Sequence, residues 1–164
     1  MKAKVLAMIV LGFTSVANAD KESVAKGQLR VHVKVARTCY VQDSDLNFGT
    51  IDGLFRSDVN ASTNIVIRCT ADAPFEIGLD EGKGFDNGSR RMVDDEGKNF
   101  IAYKLFKPDN ATEWDKDNRV SATATGLDQS FAVYGTIPAK QEAIPGDRNY
   151  NDYVTIDLYM ASAP

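Results

Sequence analysis

The chain has 164 residues, of which 43% are hydrophobic and 26% charged, with a formal net charge of −4. That length suits one ordinary domain with its own core. The acidic balance excludes the basic face that nucleic-acid binders need, and it disfavours docking on anionic lipid.

The first segment sets the compartment. Lys2 and Lys4 lead an apolar run over residues 5–13, and Ala17 and Ala19 stand at the −3 and −1 positions before Asp20. This is the layout of a secretory signal peptide cleaved after Ala19, and the run is shorter than the roughly 20 residues that cross a bilayer. Its removal takes two lysines and no acid, so the expected exported chain carries −6. Cys39 and Cys69 are the two cysteines of the chain. In an oxidising compartment such a pair reads as a disulfide, whereas two cysteines and a single histidine are too few for a structural zinc site.

Downstream, apolar and polar residues alternate with period two. Leu29, Val31, Val33 and Val35 alternate with Gln28, Arg30, His32 and Lys34. The same pattern recurs over residues 64–69, 75–80, 101–105, 131–137 and 153–160. Such alternation predicts strands with one face on a core. Between the runs lie turn-forming clusters such as Ala71-Asp72-Ala73-Pro74, Asp86-Asn87-Gly88-Ser89 and Pro145-Gly146-Asp147. No amphipathic helical period stands out. The expected fold is all-β, an antiparallel two-sheet sandwich in one domain.

Candidate chemistry is sparse. Residues 80–99 hold Asp80, Glu81, Asp86, Asn87, Asp94, Asp95 and Glu96, oxygen ligands of the kind calcium takes. Their spacing matches no EF-hand loop, and Arg90 and Arg91 compete, so a solvated hairpin loop is expected there. His32 falls on the polar side of its run. No nucleophile elbow, H-E-x-x-H or phosphate loop is present. No catalytic residue, metal or cofactor is therefore expected. Asn60-Ala61-Ser62, Asn87-Gly88-Ser89 and Asn110-Ala111-Thr112 match a glycosylation triplet but read as turn residues. Trp114, the lone tryptophan, offers either a surface ligand platform or a cap on the core.

Residues 27–35 running into Thr38-Cys39 resemble the start of spore coat protein U domains, which is also the start of pilins of archaic chaperone–usher pili. Leu46-Asn47-Phe48-Gly49 is similar to that family's step after the first cysteine, and Ile65-Val66-Ile67-Arg68-Cys69 to its strand carrying the second. Phe75-Glu76-Ile77-Gly78-Leu79-Asp80, Arg90-Arg91-Met92, Tyr103-Lys104-Leu105-Phe106, Tyr134-Gly135-Thr136-Ile137-Pro138-Ala139 and Tyr150-Asn151-Asp152-Tyr153-Val154 follow in the family's order. The chain departs from it at Lys140, where a glycine is usual, and at Arg148-Asn149, which lengthens the last turn.

The resemblance implies an immunoglobulin-like sandwich that lacks its C-terminal strand and is completed by donor-strand exchange. It implies a structural pilus subunit, of shaft or adaptor rather than two-domain tip type, whose partners are neighbouring subunits, a periplasmic chaperone and an outer-membrane usher. Export to the cell surface, adhesion and biofilm formation are what it suggests. Residues 1–19 are then the signal peptide, 20–36 an N-terminal extension carrying the donor strand through Leu29, Val31, Val33 and Val35, and 37–164 the sandwich domain. Two other readings stay open: a secreted coat or matrix protein of the same fold, and a carbohydrate-binding sandwich. So does the choice between a donor strand acting in trans and a first strand pairing within its own domain.

Overall fold

The computed structural model describes residues 22–141 and 144–160. The expected signal peptide and its cleavage site lie outside the described residues. The chain divides into two units, one ending at Lys34 and one beginning at Val35. In the first, residues 22–34 form no regular element and are exposed.

Among the described residues the second unit holds nine strands: β1 (Cys39–Val41), β2 (Val59–Cys69), β3 (Pro74–Leu79), β4 (Arg90–Asp94), β5 (Phe100–Phe106), β6 (Val120–Thr123), β7 (Gln129–Ile137), β8 (Tyr150–Asn151) and β9 (Ile156–Met160). A six-stranded sheet runs β1-β2-β7-β5-β4-β8, and a three-stranded sheet runs β6-β3-β9. Every ladder is antiparallel.

The alternation explains how the sheets close on one core. Ile65, Ile67 and Cys69 of β2, Val133 and Ile137 of β7, and Ile101, Tyr103 and Leu105 of β5 turn inward from the large sheet. Phe75, Ile77 and Leu79 of β3 meet them from the small one. Phe75 and Phe131 pack edge to face with ring centres 6.0 Å apart, a favoured aromatic geometry. Trp114 is fully buried and donates its indole N–H to the Ile77 carbonyl at 3.0 Å. It belongs to the core and offers no surface platform.

Two local expectations are corrected. Residues 80–99 are not one solvated loop, because they contain β4, which pairs with β5 and β8. Arg90 and Asp94 are buried there. Asn60-Ala61-Ser62 is not a turn but lies inside β2, where the Thr136 hydroxyl donates to Asn60 Oδ1 at 2.7 Å. Asn87 and Asn110, with φ of 48° and 52°, do occupy left-handed turn positions, which asparagine tolerates better than most residues.

Candidate functional site, an open groove between two strand edges

Four strands end a sheet and leave one edge unpaired among the described residues, β1 and β8 in the large sheet and β6 and β9 in the small one. β9 pairs only with β3, and β1 only with β2. The register fixes which backbone groups are free. Asp80 N–H donates to the Thr155 carbonyl at 3.0 Å. Since backbone groups alternate sides along a strand, Asp157 and Tyr159 also face β3, while the N–H and C=O groups of Ile156 and Leu158 point to the open edge. On the other side, Gln42 N–H donates to the Val66 carbonyl and Thr70 N–H to the Thr38 carbonyl. The polar backbone groups of Cys39 and Val41 therefore face away from β2. Free edges of this kind are templates for another strand.

Between the chain leaving β1 and the chain entering β9 lies a cleft of about 210 Å³ lined by the apolar Leu46, Phe48, Leu105, Val133, Val154 and Ile156 and by polar residues that include Ser44, Asp45, Thr63 and Asp152. Its shape follows from local packing. Leu46 and Phe48 lie on β7 because residue 135 is glycine: a Cβ there would stand 2.8 Å from Phe48 Cζ and 2.9 Å from Leu46 Cδ2. At the other end Cys39 Sγ is 3.5 Å from Met160 Sδ. The two edges thus run in opposite directions, meeting at Cys39 and Met160 and opening between Leu46 and Val154. Cys39 and Cys69 are disulfide-bonded and sit opposite each other in the β1–β2 register, which anchors this wall. Ile156 and Leu158 point inward beside the fully buried Leu79 and Ile77, yet they are only half-buried.

The polar residues at the open end serve the architecture. Asp152 accepts at Oδ1 from the N–H groups of Lys83 (2.8 Å), Gly84 (3.0 Å) and Tyr153 (2.8 Å), and at Oδ2 from the Tyr103 hydroxyl at 2.6 Å. Gly82, at φ 76°, admits this carboxylate, since a Cβ there would come within 2.2 Å of it. Burial, then the bond to Asp152, pushes the Tyr103 phenol well above its ordinary range. Partial burial pushes the Asp80 carboxyl up, but hydrogen bonds from Thr155 and Gly82 and the charge of Arg90 hold it below its usual value on balance. Together these bonds fix the chain entering β9.

Asp94 is held in the same way from β4. A hydrogen bond from the Asn99 side chain, opposed by burial and reinforced by the N–H groups of Lys98 and Asn99 and by Arg148, lowers its carboxyl to about 2. Asp80 Oδ1 is thus engaged by the N–H groups of Gly82 and Thr155, and both Asp94 oxygens by donors from Lys98, Asn99 and Arg148. Among the described residues no three ligand side chains converge on a metal position.

The segment singled out for partner binding is placed differently from the groove residues. Leu29, Val31, Val33 and Val35 are 88%, 84%, 85% and 75% exposed and belong to no strand. His32 in their midst is exposed as well. The groove itself was not legible from periodicity, because Leu46 and Phe48 lie outside any strand. The signal that carries them is the Leu46-Asn47-Phe48-Gly49 motif, paired with Gly135.

The fold and site define an all-β antiparallel sandwich with a groove beside the free edges of β1 and β9. Residues 25–157 match the Spore Coat Protein U domain family, and the chain belongs to it. No curated protein matches the sequence. Among solved structures, the chain is similar to one from the CsuC–CsuE chaperone–tip adhesion subunit pre-assembly complex of the archaic chaperone–usher Csu pili of Acinetobacter baumannii. The identity is 27% and the TM-score 0.57, over 76% of this chain and 40% of that one. A chaperone–tip adhesin complex of CFA/I fimbriae biogenesis matches at 12% identity and a TM-score of 0.48, over 76% of this chain and 42% of that one. The chain spans less than half the length of either.

Proposed function

We propose that the protein is a structural subunit of a surface pilus, assembled by a periplasmic chaperone and an outer-membrane usher through donor-strand complementation, and that it is not an enzyme. The observation that carries this reading is an open groove floored by apolar side chains, beside the free backbone edges of β1 and β9, in a chain that also holds an exposed, strictly alternating segment. Family membership supports it, as does the likeness to a subunit complex of chaperone–usher pili.

The physics is that of strand addition. A donor strand in the groove ladders to Ile156 and Leu158 on one side and to Cys39 and Val41 on the other, and its alternate side chains fill the cleft. Burying one large aliphatic side chain contributes about 1.5–3 kcal/mol, so four contribute on the order of 6–12 kcal/mol before ordering costs. An open groove is aggregation-prone, so a chaperone occupies it until the next subunit arrives. Assembled at the cell surface, the fibre serves adhesion and biofilm formation.

The test is the full-length variant Val31→Asp/Val33→Asp. It folds and forms the Cys39–Cys69 bridge but yields no detergent-resistant multimers at the cell surface. Multimers at the parent level would refute the reading.

A further inference from the structure

We propose that Met160 is an oxidation site that guards the Cys39–Cys69 bridge: an oxygen-atom donor such as hydrogen peroxide converts its thioether to the sulfoxide, and the sulfoxide uncovers Cys39 to attack by thiols. This chemistry stands whether or not the pilus reading above holds.

Placement comes first. Met160 is the last residue of β9 and lies opposite Phe75 of β3. Its thioether reaches the edge of β1, where Sδ stands 3.5 Å from Cys39 Sγ. An unbranched, polarizable side chain suits such an irregular gap between two sheets. Yet Met160 is 36% exposed, and it lines a recess on the outward side of the small sheet with Glu76, Ser121 and Tyr159. An oxidant therefore reaches it without entering the groove. Met1 and Met8 lie outside the described residues, and the remaining methionine, Met92, is half-buried. Met92 faces Ile101 across the β4–β5 ladder and packs against the core. Oxidation follows access to the sulfur, so Met160 reacts first.

The step itself needs only the oxidant. A lone pair on Sδ attacks one peroxide oxygen, the O–O bond breaks, and the departing hydroxide takes the proton of the transferred oxygen to leave as water. Sulfur loses two electrons and the peroxide gains two. The product carries a polar oxygen on what was an apolar centre. Cys39 Sγ, which it touches, is in a disulfide and has no hydrogen to donate. A polar atom held there without a donor is costly, whereas solvent at the recess supplies donors. The sulfoxide therefore turns outward and leaves Cys39 Sγ without its cover.

The bridge is built so that this cover matters. Cys69 is buried, while Cys39 is half-buried on a three-residue edge strand. An incoming thiolate attacks at Cys39 Sγ, the S–S bond breaks, and Cys69 leaves as the thiolate. The rate of such an exchange depends on access to the attacked sulfur, and Met160 Sδ stands beside that sulfur.

The test treats the purified full-length chain with hydrogen peroxide, maps sulfoxides by mass spectrometry, and follows opening of the bridge by dithiothreitol through thiol trapping. Met160 converts before Met92, and the oxidised chain loses the bridge roughly two- to tenfold faster, the lower end of what one altered side chain does. Met160→Leu, a volume-conserving exchange, opens at the parent rate and does not change with peroxide, whereas Met92→Leu keeps the full response. Trp114 fluorescence verifies that the oxidised chain and both variants stay folded, so that faster opening reports access. Met92 converting first, or a Met160 sulfoxide with an unaltered opening rate, overturns the proposal. So does a Met160→Leu chain that responds to peroxide as the parent does, or global unfolding on oxidation.

Discussion

The Cys39–Cys69 bridge is expected to matter twice, once for the stability of the domain and once for the groove. Its two residues are separated by 30 positions. In the chain-entropy treatment, closing a loop of that size removes about 12 cal/mol/K from the unfolded ensemble, or about 3.7 kcal/mol at 25 °C. Cys69 is buried in the core, and β1 is only three residues long, so little else holds that wall in register. The double variant Cys39→Ala/Cys69→Ala, exported as the full chain, is the perturbation. Trp114 is the single tryptophan and is fully buried, so its fluorescence reports global unfolding without a label. With a urea dependence of about 1.5–2 kcal/mol per molar, the midpoint falls by roughly 2 M. Adding a reductant to the parent chain gives the same shift. A loss under about 1 kcal/mol, by fluorescence and by far-ultraviolet circular dichroism alike, refutes the reasoning.

Three further substitutions probe local features. Lys140 sits at φ 62°, a left-handed position that costs an L-residue roughly 1–2 kcal/mol, so Lys140→Gly raises stability by up to about 1 kcal/mol in the same urea assay after the added freedom of the unfolded glycine is offset. Gly135→Ala forces Leu46 and Phe48 off β7 and lowers stability by about 1–3 kcal/mol, as overpacking does; an unchanged midpoint would mean the two side chains shift freely. The Asp94 carboxyl is lowered from 3.8 to about 2 in the folded chain, so its contribution is present above about pH 4 and is lost as pH falls toward 2. Asp94→Asn is accordingly less stable than the parent at pH 7 and equal to it near pH 2.

Alternation in the sequence located the strands that carry the core, and for a physical reason. In β3, β5 and β7 the inward positions hold large apolar residues, such as Phe75, Ile101 and Val133, so burial and period coincide. The start of β2 was missed because its alternation uses Ala61 and Thr63, which bury little apolar surface yet continue the same ladder opposite Gly135 and Val133. β4 was read as a loop because residues 80–99 hold six acids and two arginines; the charges of the strand are instead absorbed by hydrogen bonds, Arg90 on the Leu79 and Asp80 carbonyls and Asp94 on the backbone N–H groups of Lys98 and Asn99 and the Asn99 side-chain amide. Lys140 shows what a family's usual glycine encodes. The position needs a positive φ, and this chain meets it with a residue that lacks glycine's freedom. The groove is a property of what is missing from the sheet, and period-two patterning carries no term for a strand that another molecule supplies.

Hydrophobic burial is non-directional, so the exposed set Leu29, Val31, Val33 and Val35 and the half-buried set Ile156 and Leu158 call for one another without saying whether the partner is the same molecule. Chain geometry adds the direction. Only residues 36–38 separate Val35 from β1. A return in cis would make a tight hairpin antiparallel to β1. Because β1 and β9 run in opposite directions across the groove, that hairpin strand would lie parallel to β9. A segment from a second copy is free of this linker and can run antiparallel to β9, which sets it parallel to β1, so either direction gives one antiparallel and one parallel ladder. It also aligns the four donor side chains directly opposite Val154, Ile156, Leu158 and Met160. The short linker thus ties closure within one molecule to a single strand direction, whereas exchange between molecules can take either.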